Sequence, residues 1–443
     1  MNALLSKLAP KVDQGEAYHL RAQTVPVEFR AGTLHSVQTT QTEGIALRVV
    51  RAGRLGFATT TDLEHDETLI DAALASSAFG EALDIRFPEA GAAAEAHVFD
   101  RALAALTQED LISLGEETIA QLTSIAPKAE INVSVVKTVE AVEVGNTAGR
   151  TVAEDRTSLS IGIEVSRAKE GDIFILSDGL SVRCLEDLDA DAVVRRLARH
   201  LSHSRRIVPA PTRALPVVFT PNGAIALLLP LIVGFNGRSV FTGTSPLRNR
   251  TGEQAFDERF SLTDDGTVPR GPRSGGFDDE GLPTTRTTLV ENGTVRGFVY
   301  DLRTAALAGT RPTGNGYKGG VFGSGGFRTA PSTGMSNVVV RKGERLETGL
   351  ISGIEEGLLV ESVLGLGQGN INAGEFSNNV AVAFKIEDGK IVGRVKNTMI
   401  AGNAYSLLKE QLIGLGSEPQ WAGGALQTPA IAVDGVSVVG NAA

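Results

Sequence analysis

The chain has 443 residues, too many for one ordinary domain and enough for two or three with a substantial buried core. Hydrophobic residues make up 42% and charged residues 21%, a soluble globular balance, and a net charge of −10 with no basic run longer than a pair disfavours nucleic-acid binding. No apolar stretch reaches the ~20 residues of a membrane span, Met1–Pro10 lacks a signal-peptide core, and the single cysteine, Cys184, excludes an internal disulfide framework and fits a reducing cytoplasm.

In chain order, a short helix precedes strands at Val25–Arg30 and Thr33–Thr40. Gly44–Arg51 and Arg54–Thr60 pair across Ala52-Gly53. An apolar helical run then extends to about Phe79, and residues 81–100 read as a loop. Thr107 is the expected N-cap of a helix that shows Leu111, Leu114, Thr118, Ile119 and Leu122 on one face. Strands follow at Glu130–Lys137, Val139–Asn146, Thr157–Ala168 and Asp172–Ser181, and a helix runs from about Leu188 to Arg206. Pro209 and Pro211 cannot continue that helix and mark the clearest boundary.

Beyond it, Leu215–Phe219 is a buried-type strand and Asn222–Phe235 a helix. Two hairpins are expected, around Glu291-Asn292-Gly293 and Glu387-Asp388-Gly389, and Asn403–Gly414 reads as a last helix. Composition changes at the same boundary. Residues 1–208 hold 13 of the 51 glycines and all of the net negative charge, whereas residues 209–443 hold 38 glycines and are neutral. The expected fold is α+β, with α+β regions at 1–105 and 106–208 and a β-rich, glycine-rich domain with a central helix at 209–443.

No local motif makes a self-sufficient catalytic centre. His200 and His203 share a helix face, but five neighbouring arginines favour a solvated basic helix end over a metal site. Gly314-Asn315-Gly316-Tyr317-Lys318-Gly319 matches G-x-G-x-x-G as text without the strand and helix that phosphate binding needs. Cys184 has no adjacent histidine and reads as a half-buried small residue. Asp278-Asp279-Glu280 reads as an acidic turn rather than a cation site.

Several separated segments together are more specific. Gly44–Val49 followed by Gly53–Thr60, Ser245–Asp264, Phe277–Arg286, Glu291–Asp301, Thr313–Gly316, Gly369–Ser377 and Ile400–Asn403 occur in the order in which they occur in the TldD/PmbA family, which the chain resembles from about residue 16 to 410. The resemblance implies a two-component cytoplasmic metalloprotease. Its catalytic branch carries His-Glu-x-x-x-His on the central helix and a cysteine near the C-terminus, which hold zinc beside a general base. Aligned on Gly234, the histidine positions here are Pro230 and Phe235 and the glutamate position is Leu231; Ser417–Gly424 offers no cysteine.

The departure implies the PmbA-like (TldE-like) branch, a non-catalytic subunit without its own cofactor. It is expected to pair with a zinc-bearing TldD-like partner around a peptide, with a homodimer open to the isolated chain. The glycine-rich loops Gly314–Gly326 and Gly365–Gly374 supply candidate peptide or partner contacts, namely Asn315, Gly316, Tyr317, Gly369, Asn370 and Phe376. The competing readings are a stand-alone hydrolase using Cys184 or another, unrecognised site, and a homodimeric peptide-binding module.

Overall fold

A computed structural model describes residues 1–169, 171–319 and 325–440. In the first half, α1 (Asn2–Leu8), β1 (Gln14–Arg30), β2 (Thr33–Val37), β3 (Thr40–Arg51), β4 (Arg54–Thr60), α2 (Asp66–Ser77), α3 (Arg101–Ala104), α4 (Gln108–Ile125), β5 (Glu130–Asn146), β6 (Thr151–Lys169), β7 (Asp172–Val182) and α5 (Ala190–His203) follow one another. The strands form one antiparallel sheet, ordered β4-β3-β1-β5-β6-β7 with β2 also on β1. β1 pairs along nearly its whole length with β5, so residues on either side of position 105 share this sheet. The β3–β4 turn places Ala52 and Gly53 at φ 49° and 71°, as the two-residue hairpin requires.

Strand periodicity gives the sheet two unlike faces. Val25, Val27 and Phe29 of β1, Ile131, Val133 and Val135 of β5, and Leu159, Ile161 and Ile163 of β6 pack under α4 and α5. Thr107 caps α4 through a reciprocal bond with Asp110, which fixes where that helix starts. The intervening residues Glu28, Ser134, Ser158, Ser160, Gly162 and Glu164 face the second half. That face is polar over its outer half, so apolar packing does not seal it.

The second half begins with β8 (Arg213–Phe219), α6 (Ala224–Gly234), α7 (Gly237–Thr242), β9 (Leu262–Asp265), β10 (Arg286–Glu291), β11 (Thr294–Val295) and α8 (Leu302–Ala308). It continues through β12 (Gly316–Tyr317), β13 (Ser332–Thr333), β14 (Val338–Val340), α9 (Glu347–Ile351), β15 (Glu356–Leu364), β16 (Glu375–Glu387) and β17 (Lys390–Arg394). β18 (Met399–Asn403), α10 (Ala404–Glu410), β19 (Leu412–Leu415), β20 (Gln420–Ala422), β21 (Leu426–Thr428) and β22 (Ile431–Val439) complete it. The path β15-β8-β22-β18-β16 closes on itself because β16 also pairs with β15. A second sheet runs β11-β10-β9-β14-β21-β20. β8 is buried on both faces: Val217 and Phe219 belong to the core around α6, and Val218 to the core shared with the first half.

Expectations for the last helix, for His200 and for the strands β1 and β5 need correction: β1 starts at Gln14, and β5 is one strand where two were expected. The last helix stops at Glu410, and Leu412–Leu415 is a strand on β22. His200 is not solvated: it is 3% exposed, with its ring against Phe384 and Nδ1 3.6 Å from Glu361 Oε2.

Candidate functional site

α6 is an apolar helix without a polar face. Pro230, Leu231 and Phe235, the positions that the resemblance aligns with zinc ligands and base, are all buried. The Phe235 ring lies 6.3 Å from that of Phe256 and 5.7 Å from that of Phe298. Tyr405 on α10 donates its hydroxyl to the Pro230 carbonyl at 3.1 Å, and a Cβ on Gly234 would lie 2.0 Å from that hydroxyl oxygen. Pro, Leu and Phe side chains have no donor atom for a metal, and the space around them is filled by hydrocarbon. Zinc does not fit here. Among the described residues, no group of three or more His, Cys, Asp and Glu side chains is arranged to hold a metal ion.

The acidic turn Asp278–Glu280 is buried and structural. Asp278 accepts the backbone N–H groups of Glu280, Leu282 and Gly316 at 3.0, 2.9 and 2.8 Å. Arg48 of β3 donates to Glu280 at 2.6 Å and to Glu16 of β1 at 2.8 Å, joining the two halves of the molecule. Glu280 also accepts the Leu302 N–H at 2.7 Å. Burial pushes the Glu280 carboxyl up and Arg48 pulls it back.

Of the six contact candidates, Asn315 is 1% exposed and committed internally. It donates to Asp264 at 2.6 Å and to the Gly334 carbonyl at 3.0 Å, and accepts from Thr313. Gly316 is required by close approach, since a Cβ there would sit 2.3 Å from Glu280 Oε2. Tyr317 lines a cavity, with the Arg273 guanidinium 5.7 Å from its ring centroid. Gly369 (φ 98°) and Asn370, the cap of a short 3-10 turn, lie on an exposed loop. Phe376 is a core residue 6.3 Å from Phe219. Residues 320–324 of the Gly314–Gly326 loop lie outside the described residues.

The polar face of the first sheet leaves two adjoining cavities beneath the second half. The larger, about 790 Å³, lies between β5–β7 and the start of α6, with Ile225, Val363, Leu366 and Trp421 among its walls. The smaller, about 500 Å³, is lined by Tyr18, Arg156, Arg183, Arg273, Tyr317 and Lys318 among others. Ser181, Pro272, Gly423 and Gly424 line both, making one groove. Sequence reasoning missed this groove. Its signal was the alternation Ser158-Leu159-Ser160-Ile161-Gly162-Ile163-Glu164, a strand with one apolar and one polar face.

Cys184 lines a separate hollow with His97, Asp100 and Arg270. Burial and the Asp100 charge push its thiol up, opposite to what a nucleophile needs.

The similarity to known proteins follows the same division of the chain. A PmbA/TldA metallopeptidase domain 1 model matches residues 15–78, a central-domain model 101–205 and a C-terminal-domain model 212–440. The class is thus that of a metallopeptidase-like scaffold. The chain belongs to the PmbA/TldD family. It is 25% identical to an uncharacterized protein of Methanocaldococcus jannaschii over 411 residues, 90% of each chain. A metalloprotease TldD homolog of Buchnera aphidicola is 27% identical over 298 residues, 63% of this chain and 59% of that protein. The crystal structure of TldE from Thermococcus kodakarensis superposes with a TM-score of 0.90 at 25% identity, covering 99% of both chains. No described helix is long and apolar enough to cross a membrane.

Proposed function

We propose that this chain is the non-catalytic subunit of a two-component PmbA/TldD peptidase. In this reading it works in the cytoplasm, pairs with a zinc-bearing TldD-like homologue, and forms part of the wall around the peptide that the partner cuts. The observation that carries the reading is the hydrocarbon packing of Pro230, Leu231 and Phe235 where a catalytic relative would need two imidazoles and a carboxylate. The similarity to the Thermococcus TldE supports the same branch. The groove under the second half gives such a subunit a surface on which an extended peptide can lie.

The test is reconstitution. The purified chain should carry no stoichiometric zinc and cleave no unfolded polypeptide by itself. Added to a homologue bearing His-Glu-x-x-x-His, it should form a complex of summed native mass whose peptidase rate exceeds that of either component. Zinc-dependent turnover by the isolated chain, or failure to associate with or activate any such homologue from the same genome, would overturn the reading.

A further inference from the structure

The 500 Å³ cavity has an unusual cation set. Arg156, on the polar face of β6, donates to Glu154 at 2.7 Å and stands 3.9 Å from Glu140. Arg183, just beyond β7, uses one terminal nitrogen on the Thr157 carbonyl at 3.2 Å, while its buried Nε has no hydrogen-bond partner. Lys318 is 5% exposed; its Nζ donates to the Thr329 carbonyl at 2.9 Å and lies 4.8 Å from the Tyr18 ring centroid. Neither Arg183 nor Lys318 has an ion-pair partner among the described residues. Arg273 enters from the opposite wall, over Tyr317.

Two carboxylates also line the cavity, Glu140 and Asp279, and both have partners: Glu140 is near Arg156, and Asp279 accepts the Lys318 backbone N–H at 2.7 Å. With Glu154 on Arg156, the four cations face three acids, which leaves one positive charge in excess in a partly dehydrated space. Burial pushes the Arg183 guanidinium down to about 10; the Glu140 and Glu154 charges oppose that shift, and those of Arg156 and Arg273 add to it. An anion bound there would replace the hydration that the guanidinium has lost and meet its unpartnered Nε, and a planar carboxylate suits a guanidinium fork.

We propose that this cavity binds a carboxylate of an extended peptide, either the C-terminal α-carboxylate or an acidic side chain. The preceding residues then run through the shared opening at Ser181, Pro272, Gly423 and Gly424 into the larger cavity beside Trp421. The inference rests on the peptide-handling reading above and adds which end or residue of the peptide this chain recognises. The apolar wall of the adjoining cavity selects a peptide over a small inorganic anion, which would have nothing to place there.

Trp421, the only tryptophan, lines the groove and reports on its occupancy. The intact chain is titrated with three forms of one apolar pentapeptide: free acid, C-terminal amide, and amide with glutamate as its last residue. Trp421 emission and calorimetry are read together. The free acid should bind at least tenfold more tightly than the plain amide. Recovery with the glutamate amide assigns an acidic side chain as a second source; no recovery restricts the site to the chain terminus.

Arg183→Gln and Arg273→Gln should each bring the free acid to the affinity of the amide and leave the amide unchanged. Equal affinity of acid and amide on the unsubstituted protein, or inorganic phosphate displacing the free acid at equimolar concentration, would overturn the proposal without relying on any variant. Loss of partner activation with the acid preference intact would remove the subunit reading but keep the site. Activation without the preference would do the reverse.

Discussion

Leu231→Glu tests whether the helix position aligned with the catalytic base is filled core or a latent site. Leu231 is fully buried in the cluster that holds Leu227, Leu228, Phe235 and Leu247. Removing its hydrocarbon contacts costs about 2–5 kcal/mol by analogy with Leu→Ala changes. A neutral carboxyl without a partner adds about 1–3 kcal/mol. The sum, roughly 3–8 kcal/mol, is comparable to the whole stability of a typical domain. The loss should also depend on pH. Burial raises the folded-state pKa of the new carboxyl above its unfolded value near ~4.3, so the folded state binds more protons and stability falls as pH rises, by about 1.4 kcal/mol per unit, until the folded pKa is passed. Urea unfolding followed by Trp421 emission at pH 5 and pH 8 measures both effects, with Leu231→Met as the volume-conserving control that should lose less than about 1.5 kcal/mol. A loss below about 1 kcal/mol at both pH values, or stoichiometric zinc bound by the glutamate variant, would refute the reasoning.

Two further substitutions probe the contacts between the halves. Arg48→Met strands Glu16 and Glu280, 2% and 0% exposed, and should destabilise by about 3–5 kcal/mol in urea titrations at pH 7, with part of the loss restored when Glu280→Gln is added; an unchanged midpoint would mean that the pair does not hold the halves together. Glu361 is pushed up to about 7 by burial, with the Asp178 and Glu347 charges adding to it, while burial and nearby Arg199 push His200 down to about 3, so between those values the two face each other uncharged rather than as an ion pair. A carboxyl with a raised folded pKa contributes its stability below the unfolded value and loses it as pH rises from about 4.5 through 7. Glu361→Gln should therefore flatten the stability profile in that window, and an identical slope in the variant would count against a protonated Glu361.

The elements that were legible in the sequence are those whose apolar pattern is uninterrupted. The Ala52-Gly53 hairpin, the Thr107 cap, β7 and the apolar α6 lie close to where patterning put them, whereas β6 starts six residues before the expected Thr157. The misread strands β1 and β5 trace to polar side chains that the fold satisfies. β5 looked like two strands divided after Lys137, yet it is one strand of 17 residues. Lys137 is 7% exposed because its ammonium reaches the carbonyls of Ala104 and Leu106 beyond the sheet. β1 likewise runs from Gln14, although Glu16 and His19 interrupt its apolar pattern, because Arg48 and Glu43 satisfy those groups across the β1–β3 pair. The C-terminal helix was overextended because Leu407, Leu408, Leu412 and Leu415 keep helical spacing. The last two instead belong to a strand whose register on β22 is set by long-range pairing.

The groove shows why the site was harder to read than the fold. Each of its cations has an ordinary local setting: Arg156 sits in a strand, Arg183 beside Cys184, Arg273 in a Pro-Arg-Ser turn and Lys318 in a glycine-rich loop. Nothing in the spacing of residues 156, 183, 273 and 318 announces a cluster. The sheet brings the first two together, since Leu159 pairs with Val182 and so sets the end of β7 beside the middle of β6. Lys318 arrives through the loop that the Asp278–Glu280 turn holds in place by its bonds to the Gly316 and Lys318 N–H groups, and Arg273 through a turn in which its N–H is held by Asn337. The acidic turn is therefore a positioning device for the lysine of a basic pocket. On this argument the glycines around it answer to backbone and carboxylate packing, and recognition belongs to side chains from the more acidic half of the chain together with the two loops it meets.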